Sequence, residues 1–121
     1  DSKFSRSAVA DPKGYSEEVQ WLFFAHGGIG PMQGQAGHFI FRSEKIPYAI
    51  TRYTNETKRL YAVLETQLEG REYLLGTYGI ADIKAFGWVR AAPRLQISLD
   101  EFPRVKAWVE RIEARPAVQA G

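Results

Sequence analysis

Apolar positions along the chain fall into four stretches of helical spacing, separated by polar or glycine- and proline-rich breaks. Residues 1–14 are polar and mixed and close on Asp11-Pro12-Lys13-Gly14, a turn sequence without an apolar period, which reads as a linker or arm. Ser16, Glu17 and Glu18 then offer a capping side chain and two acids to the free N–H groups of a first turn, so a helix is expected to start there. From Val19 to Ala25 it is apolar almost all round, the pattern of a helix buried in a domain centre. The longest periodic segment runs from Pro47 to about Glu69, with Ile50, Tyr53, Thr57, Leu60, Tyr61, Leu64 and Leu68 on its apolar side. Pro47 suits a first helical position and Gly70 a left-handed stop. At 1.5 Å per residue this helix would measure roughly 34 Å. A third helix is expected after Gly79, where Ile80, Ala81, Ile83, Phe86, Trp88 and Val89 cover most faces and predict an interior position. A fourth starts near Pro103: Val105, Trp108, Val109 and Ile112 form one stripe, Arg104, Lys106, Glu110, Arg111 and Glu113 are left for water, and Arg115-Pro116 ends it. No run of alternating β-branched residues is bounded by hairpin turns, so the expected fold is all-α, a helical bundle.

Composition narrows the function. The 121 residues are 45% hydrophobic and 13% aromatic, enough for one core and too few for two domains. The 16 Lys and Arg against 14 Asp and Glu leave a formal charge of +2, and the two signs alternate instead of forming basic blocks. A phosphate-reading surface is not indicated, so nucleic acid is not an expected partner. The absence of cysteine excludes a disulfide framework, a thiolate nucleophile and Cys-type metal centres, and fits a cytoplasmic protein. No window approaches the roughly 20 apolar residues of a membrane span, and no signal-peptide pattern is present, so no membrane partner is expected. The first residue is Asp1 instead of Met, which leaves room for chain upstream.

The least ordinary segment is Gly27-Gly28-Ile29-Gly30-Pro31-Met32-Gln33-Gly34-Gln35-Ala36-Gly37, because each interior glycine costs a helix about 1 kcal/mol relative to alanine. Gly28, Gly30 and Gly34 miss the G-x-G-x-x-G spacing, no Gly-Lys-Ser/Thr follows and no strand precedes, which argues against a phosphate loop. Gly27, Gly30, Gly34 and Gly37 instead recur at three, four and three and share one helical face. Such a trough either receives another backbone or floors a ligand cleft, with Pro31 kinking the helix at the approach.

Other candidates have structural readings. Asp82 falls at the third position of the helix that opens at Gly79, able to accept from the Gly79 N–H, with Tyr78 over Ile83 as a staple. Arg52 and Glu56 lie one turn apart, the spacing of a solvated ion pair. His26 and His38 would lie about 120° apart on one helix and so cannot share a metal, and no metal site is expected. Tyr48, Tyr53 and Trp88 could donate to a substrate, although aromatics at this spacing also serve cores. No Ser-His-Asp set, HExxH motif or carboxylate pair stands out, so no catalytic residue is assigned within the chain.

Taken in order, Trp21-Leu22-Phe23-Phe24 leading into Gly27 to Gln35, Ile46-Pro47-Tyr48-Ala49-Ile50-x-Arg52-Tyr53, Glu69-Gly70-Arg71-Glu72-Tyr73-Leu74, Ile80-Ala81-Asp82-Ile83, Phe102-Pro103, Trp108-Val109-Glu110-Arg111-Ile112 and Arg115-Pro116-Ala117-Val118 carry a resemblance. Residues 15–121 resemble the C-terminal helical domain of glutathione S-transferases. The first two blocks resemble the branch that holds the bacterial nu-class disulfide-bond reductases and the fungal nitrogen-catabolite regulator. The resemblance implies an upstream thioredoxin-like domain, not in this chain, that binds most of the glutathione co-substrate. It also implies a homodimer when intact, and a helical domain that walls the site for a hydrophobic electrophile or a glutathione disulfide. By position it implies substrate-binding roles for Gly28, Ile29, Met32, Gln33 and Arg52. Arg52 matches an arginine that helps hold glutathione carboxylates, a task suited to its planar fork. Many relatives carry Ser or Thr where this chain has Gly79, a change that affects local stability by a few tenths of a kcal/mol and not the fold. A second implication belongs to another class: helical domains of this family also serve as non-catalytic interaction modules, in which the glycine trough would pack a partner helix.

Overall fold

Six α-helices form the bundle in the computed structural model, which describes residues 3–121: α1 (Pro12–Phe24), α2 (Gly30–Phe41), α3 (Pro47–Gln67), α4 (Ile80–Val89), α5 (Pro103–Glu113) and α6 (Pro116–Ala120). Asp1 and Ser2 of the expected arm lie outside the described residues. Short 3-10 turns at Ala92–Leu95 and Leu99–Glu101 bridge α4 and α5, and an isolated bridge between Leu75 and Thr77 is the one β-type pairing among the described residues. The all-α expectation therefore holds.

The first helix begins earlier than Ser16. Asp11 caps it, its Oδ1 accepting from the Gly14 N–H at 3.0 Å, and Pro12 fills the first position, where a missing N–H costs nothing. Pro12, Lys13 and Gly14 of the expected arm are thus helical. The segment before them is docked: the Arg6 N–H donates to buried Glu18 at 3.0 Å and its guanidinium to the Leu75 carbonyl at 3.1 Å. The Phe4 carbonyl accepts from the Ile80 N–H at 2.9 Å, satisfying a free donor at the start of α4.

Between α1 and α2 the chain does not leave the helix. Ala25–Ile29 form a π-type turn, with the Gly30 N–H donating to the Ala25 carbonyl five residues back. Pro31 explains its place, because a proline has no N–H for the residue four back and its ring presses on that carbonyl, here Gly27. One extra residue in the turn absorbs the conflict. It also rotates Gly27 off the glycine face: a side chain there would meet nothing within 4 Å. Gly30 sits under the Trp88 indole, whose Nε1 would lie 3.0 Å from an added Cβ, Gly34 lies against the same ring, and Gly37 meets Leu95. The trough receives side chains, chiefly one indole, and not another backbone.

The core is centred on Trp108, Tyr61, Ile29, Leu64, Leu74, Ile97, Val89 and Ile112, all fully buried. Here α3 contributes Leu60, Tyr61 and Leu64 and closes at Gly70, whose φ of +72° is the left-handed stop expected of it. The stripe expected on α5, Val105, Trp108, Val109 and Ile112, is buried in full. Asp82 ties the layers together: its Oδ2 accepts from the Gly79 N–H at 3.0 Å, and its Oδ1 from the Leu74 N–H at 3.0 Å and the Trp108 indole at 2.8 Å. Gly79 has no side chain, so only the returning half of a capping box forms.

Two expectations of burial are corrected. Phe23 is 70% exposed on α1, and Ile83 and Trp88 are 44% and 41% exposed on α4. A helix apolar on all faces is buried all round only if neighbours cover every side; in this bundle α1 and α4 pack on each other and on the π turn, and α4 also on α5, which leaves part of each open.

Candidate functional site

A cavity of about 720 Å³ lies where α3 runs beside α2. Tyr48, Thr51, Arg52, Tyr53, Asn55, Glu56 and Arg59 of α3 form its wall, and Met32 of α2 faces them. The α3 set follows from helical geometry: Tyr48, Arg52, Asn55 and Arg59 recur at four, three and four and share a face, opposite the face that carries Leu60 and Leu64 into the core. Tyr53, toward the edge, stacks on Phe39 of α2 with centroids 5.7 Å apart and planes at 2°, fixing the two helices at the cavity mouth. Pro47 opens α3 just before this wall, so Tyr48 projects from its first turn, 75% exposed.

The charges are sorted along α3. Glu56 is held by Arg59, whose Nε reaches Oε2 at 2.9 Å and Oε1 at 3.1 Å and whose Nη2 reaches Oε1 at 2.6 Å. This contact holds the Glu56 carboxyl below its ordinary value and raises the Arg59 guanidinium. Arg52 makes no hydrogen bond or ion pair with any described residue. The expected Arg52–Glu56 pair is therefore not formed. Glu placed N-terminal to the cation is the better order on a helix, because each charge then suits the backbone dipole, and Glu56–Arg59 has that order while Arg52–Glu56 has the reverse. Counted over its lining, the cavity is left with one unpaired cation.

The five residues carried over by position divide. Met32 and Arg52 both line the cavity. Gly28 is half-buried and faces Leu60, 3.4 Å from an added Cβ. Ile29 is fully buried in the core, and Gln33, 2% exposed, is spent on structure: its Nε2 donates to the Trp88 carbonyl at 2.7 Å and its Oε1 accepts from the Tyr61 hydroxyl at 2.5 Å. The side chains of Ile29 and Gln33 therefore do not line this cleft. The π turn is the reason, since it sets which residues after Ala25 face inward, and no spacing rule announces it. Thr51, Asn55 and Arg59 were missed as lining residues, although their place on the Tyr48–Arg52 face was legible from the spacing of α3. Among the described residues no cluster of three potential metal ligands occurs, and no helix is long and apolar enough to cross a membrane.

The all-helical bundle thus carries a ligand-sized cavity along its longest helix, with one unpaired cation in the wall. The chain belongs to the glutathione S-transferase C-terminal domain family, whose family model matches residues 39–116. It is 52% identical over 101 residues to the disulfide-bond oxidoreductase YfcG of Escherichia coli, covering 82% of this chain and 47% of that protein. A solved glutathione transferase from Burkholderia graminis, with two glutathione molecules bound per subunit, is 41% identical with a TM-score of 0.88, covering 98% of this chain and 52% of that one. Ure2p, the yeast prion protein, in complex with glutathione is 38% identical with a TM-score of 0.82, covering 88% and 54%. The resemblance to the nu-class and fungal branch is thus supported by both of its sides. The chain spans about half the length of these relatives.

Proposed function

We propose that this chain is the acceptor-site domain of a cytoplasmic, homodimeric glutathione transferase that conjugates glutathione to hydrophobic electrophiles or reduces glutathione disulfides. In this reading most of the glutathione is bound by a thioredoxin-like domain of the intact protein. The chain's own contribution is to hold a carboxylate of the tripeptide at Arg52 and to wall the acceptor with Met32 and the Gly28 segment. The chain supplies no thiol of its own, having no cysteine. The sulfur chemistry is then that of bound glutathione. Its thiolate forms a C–S bond to an electrophilic carbon as that carbon's leaving group departs or its π pair moves to a neighbouring atom that is then protonated. Alternatively it attacks one sulfur of a mixed disulfide, breaking the S–S bond and releasing the other sulfur as a thiolate.

The observation that carries this reading is Arg52, unpaired on the wall of the cavity while the one acid in reach is held by Arg59. A guanidinium in that state offers a carboxylate two parallel hydrogen bonds without first breaking an internal pair. The test is a glutathione titration of the intact protein, thioredoxin-like domain included, followed by chemical-shift changes in wild type and Arg52→Ala. Saturable shifts at Arg52 and Met32 that weaken about three- to tenfold in the variant support it, as one exposed charge-assisted contact should give. Equal affinity, or a wild type that binds glutathione without a saturable shift at Arg52, removes Arg52 from the site.

A non-catalytic module is the second reading. The apolar surface at Leu22 and Phe23, with Phe23 70% exposed, favours it, because exposed apolar patches mark contact surfaces.

A further inference from the structure

Glu56 is the only carboxylate among the residues that line the α3 cavity, and no other acid lies within one turn of Arg52 on α3. Helix α2, which forms the opposite side, has no acidic residue at all. The state of Arg52 therefore depends on where Glu56 points. Four residues separate the two, so their Cβ atoms are neighbours on the helix surface and a rotamer change would bring them into contact. In the structure this does not happen because Arg59, three residues beyond Glu56, takes both carboxylate oxygens. The Glu56 side chain is 33% exposed and that of Arg59 64%, so both are free to choose other rotamers.

We propose that Arg59 is a positioning residue for the anion site: by holding Glu56 it keeps Arg52 unpaired and removes the one negative charge that would face an incoming carboxylate. The role is indirect. Arg59 makes no contact with the ligand in this scheme, and its effect reaches the ligand only through Glu56 and then Arg52. The inference rests on the reading of Arg52 as the carboxylate contact. Its consequence is a specific non-additivity: removing Arg59 harms anion binding only while Glu56 is present.

The experiment compares wild type with Arg59→Met, Glu56→Gln and the double variant Glu56→Gln/Arg59→Met. Methionine keeps the aliphatic stem and deletes the charge. Glutathione titration of the intact protein by nuclear magnetic resonance should show Arg59→Met binding about two- to fivefold more weakly, the scale of one exposed ion pair. Glu56→Gln should bind as well as wild type or better, and the double variant should return to the Glu56→Gln value. A double variant as weak as Arg59→Met would make Arg59 a direct ligand and overturn the proposal, and so would an Arg59→Met chain that binds like wild type. A second readout needs no ligand. The Glu56 carboxyl, followed by its carbon-13 shift against pH, should titrate lower in Arg59→Met than in Arg52→Ala/Arg59→Met by more than Arg52→Ala alone raises it, because Arg52, which already lowers Glu56 through space, then takes over the released acid. An equal or smaller difference would show that Glu56 does not move to Arg52. The two failures separate: unchanged glutathione binding in Arg52→Ala defeats the carboxylate site, whereas an Arg52→Ala effect without the Arg59 effects defeats only the positioning role.

Discussion

Replacing Asp82 by alanine strands three N–H donors at once, and two of them, the Leu74 amide and the Trp108 indole, belong to fully buried residues. Each buried donor left without an acceptor costs about 1–3 kcal/mol, and the half-buried Gly79 amide, which water can reach, costs less. Alanine is the better helix former and returns a few tenths of a kcal/mol. The net expectation is a loss of about 3–5 kcal/mol, a large share of the roughly 5–15 kcal/mol that stabilises a domain of this size. Using an unfolding entropy of about 2.1 cal/mol/K per residue, each kcal/mol moves the midpoint by about 4 °C, so Tm should fall by about 12–20 °C. Thermal and urea unfolding, followed by far-ultraviolet circular dichroism, measure it. Trp108→Phe, which deletes the indole N–H and leaves the other two bonds, should cost distinctly less. An Asp82→Ala loss under about 1 kcal/mol would refute the reasoning, since it would mean that water satisfies these donors as well as the carboxylate does.

The same residue sets a pH dependence. Burial pushes the Asp82 carboxyl above its ordinary value of 3.8, opposed by its hydrogen bonds from Leu74, Trp108 and Gly79. A raised folded-state value means that the folded form binds the proton more tightly, so this contribution is full below about 3.8 and is lost as pH rises through the higher value. Urea midpoints from pH 3 to 7 should therefore show the stability of wild type relative to Asp82→Asn declining as pH rises across that window; a difference that grows with pH reverses the sign and the argument. Gly27→Ala should raise stability by about 0.5–1 kcal/mol, the helix-propensity gain at an open position, whereas Gly30→Ala should forfeit that gain by displacing the Trp88 indole and should shift tryptophan emission. Tyr61→Phe leaves the buried Gln33 Oε1 without its donor and should cost about 1–2 kcal/mol in urea unfolding, with the far-ultraviolet spectrum unchanged.

Helix α3 was legible almost residue by residue, because twenty-one residues of one period outweigh any local exception and Gly70 stops them at a backbone angle that glycine alone adopts freely. The α5 stripe and the Asp82–Gly79 contact were legible for the same local reason: both are set within a few turns of helix. The second half of the Asp82 network was not, since Leu74 lies eight residues back in the segment between α3 and α4, and Trp108, twenty-six residues on, meets it only once α5 has packed against α4.

The site divides in the same way. The order of residues by itself determined that Tyr48, Arg52 and Asn55 share a face of α3, that Arg52 has one acid within reach, and that no thiol comes from the chain. Tertiary structure decided the rest: that Glu56 answers Arg59, that Gln33 and Ile29 turn inward, and that the glycine face receives an indole. Local pattern fixes which side chains share a helix face, because helical rotation is set by backbone geometry. What that face meets, and which of two equally close partners a charge takes, depends on packing and on competing contacts of a few tenths of a kcal/mol, which no single window of sequence contains.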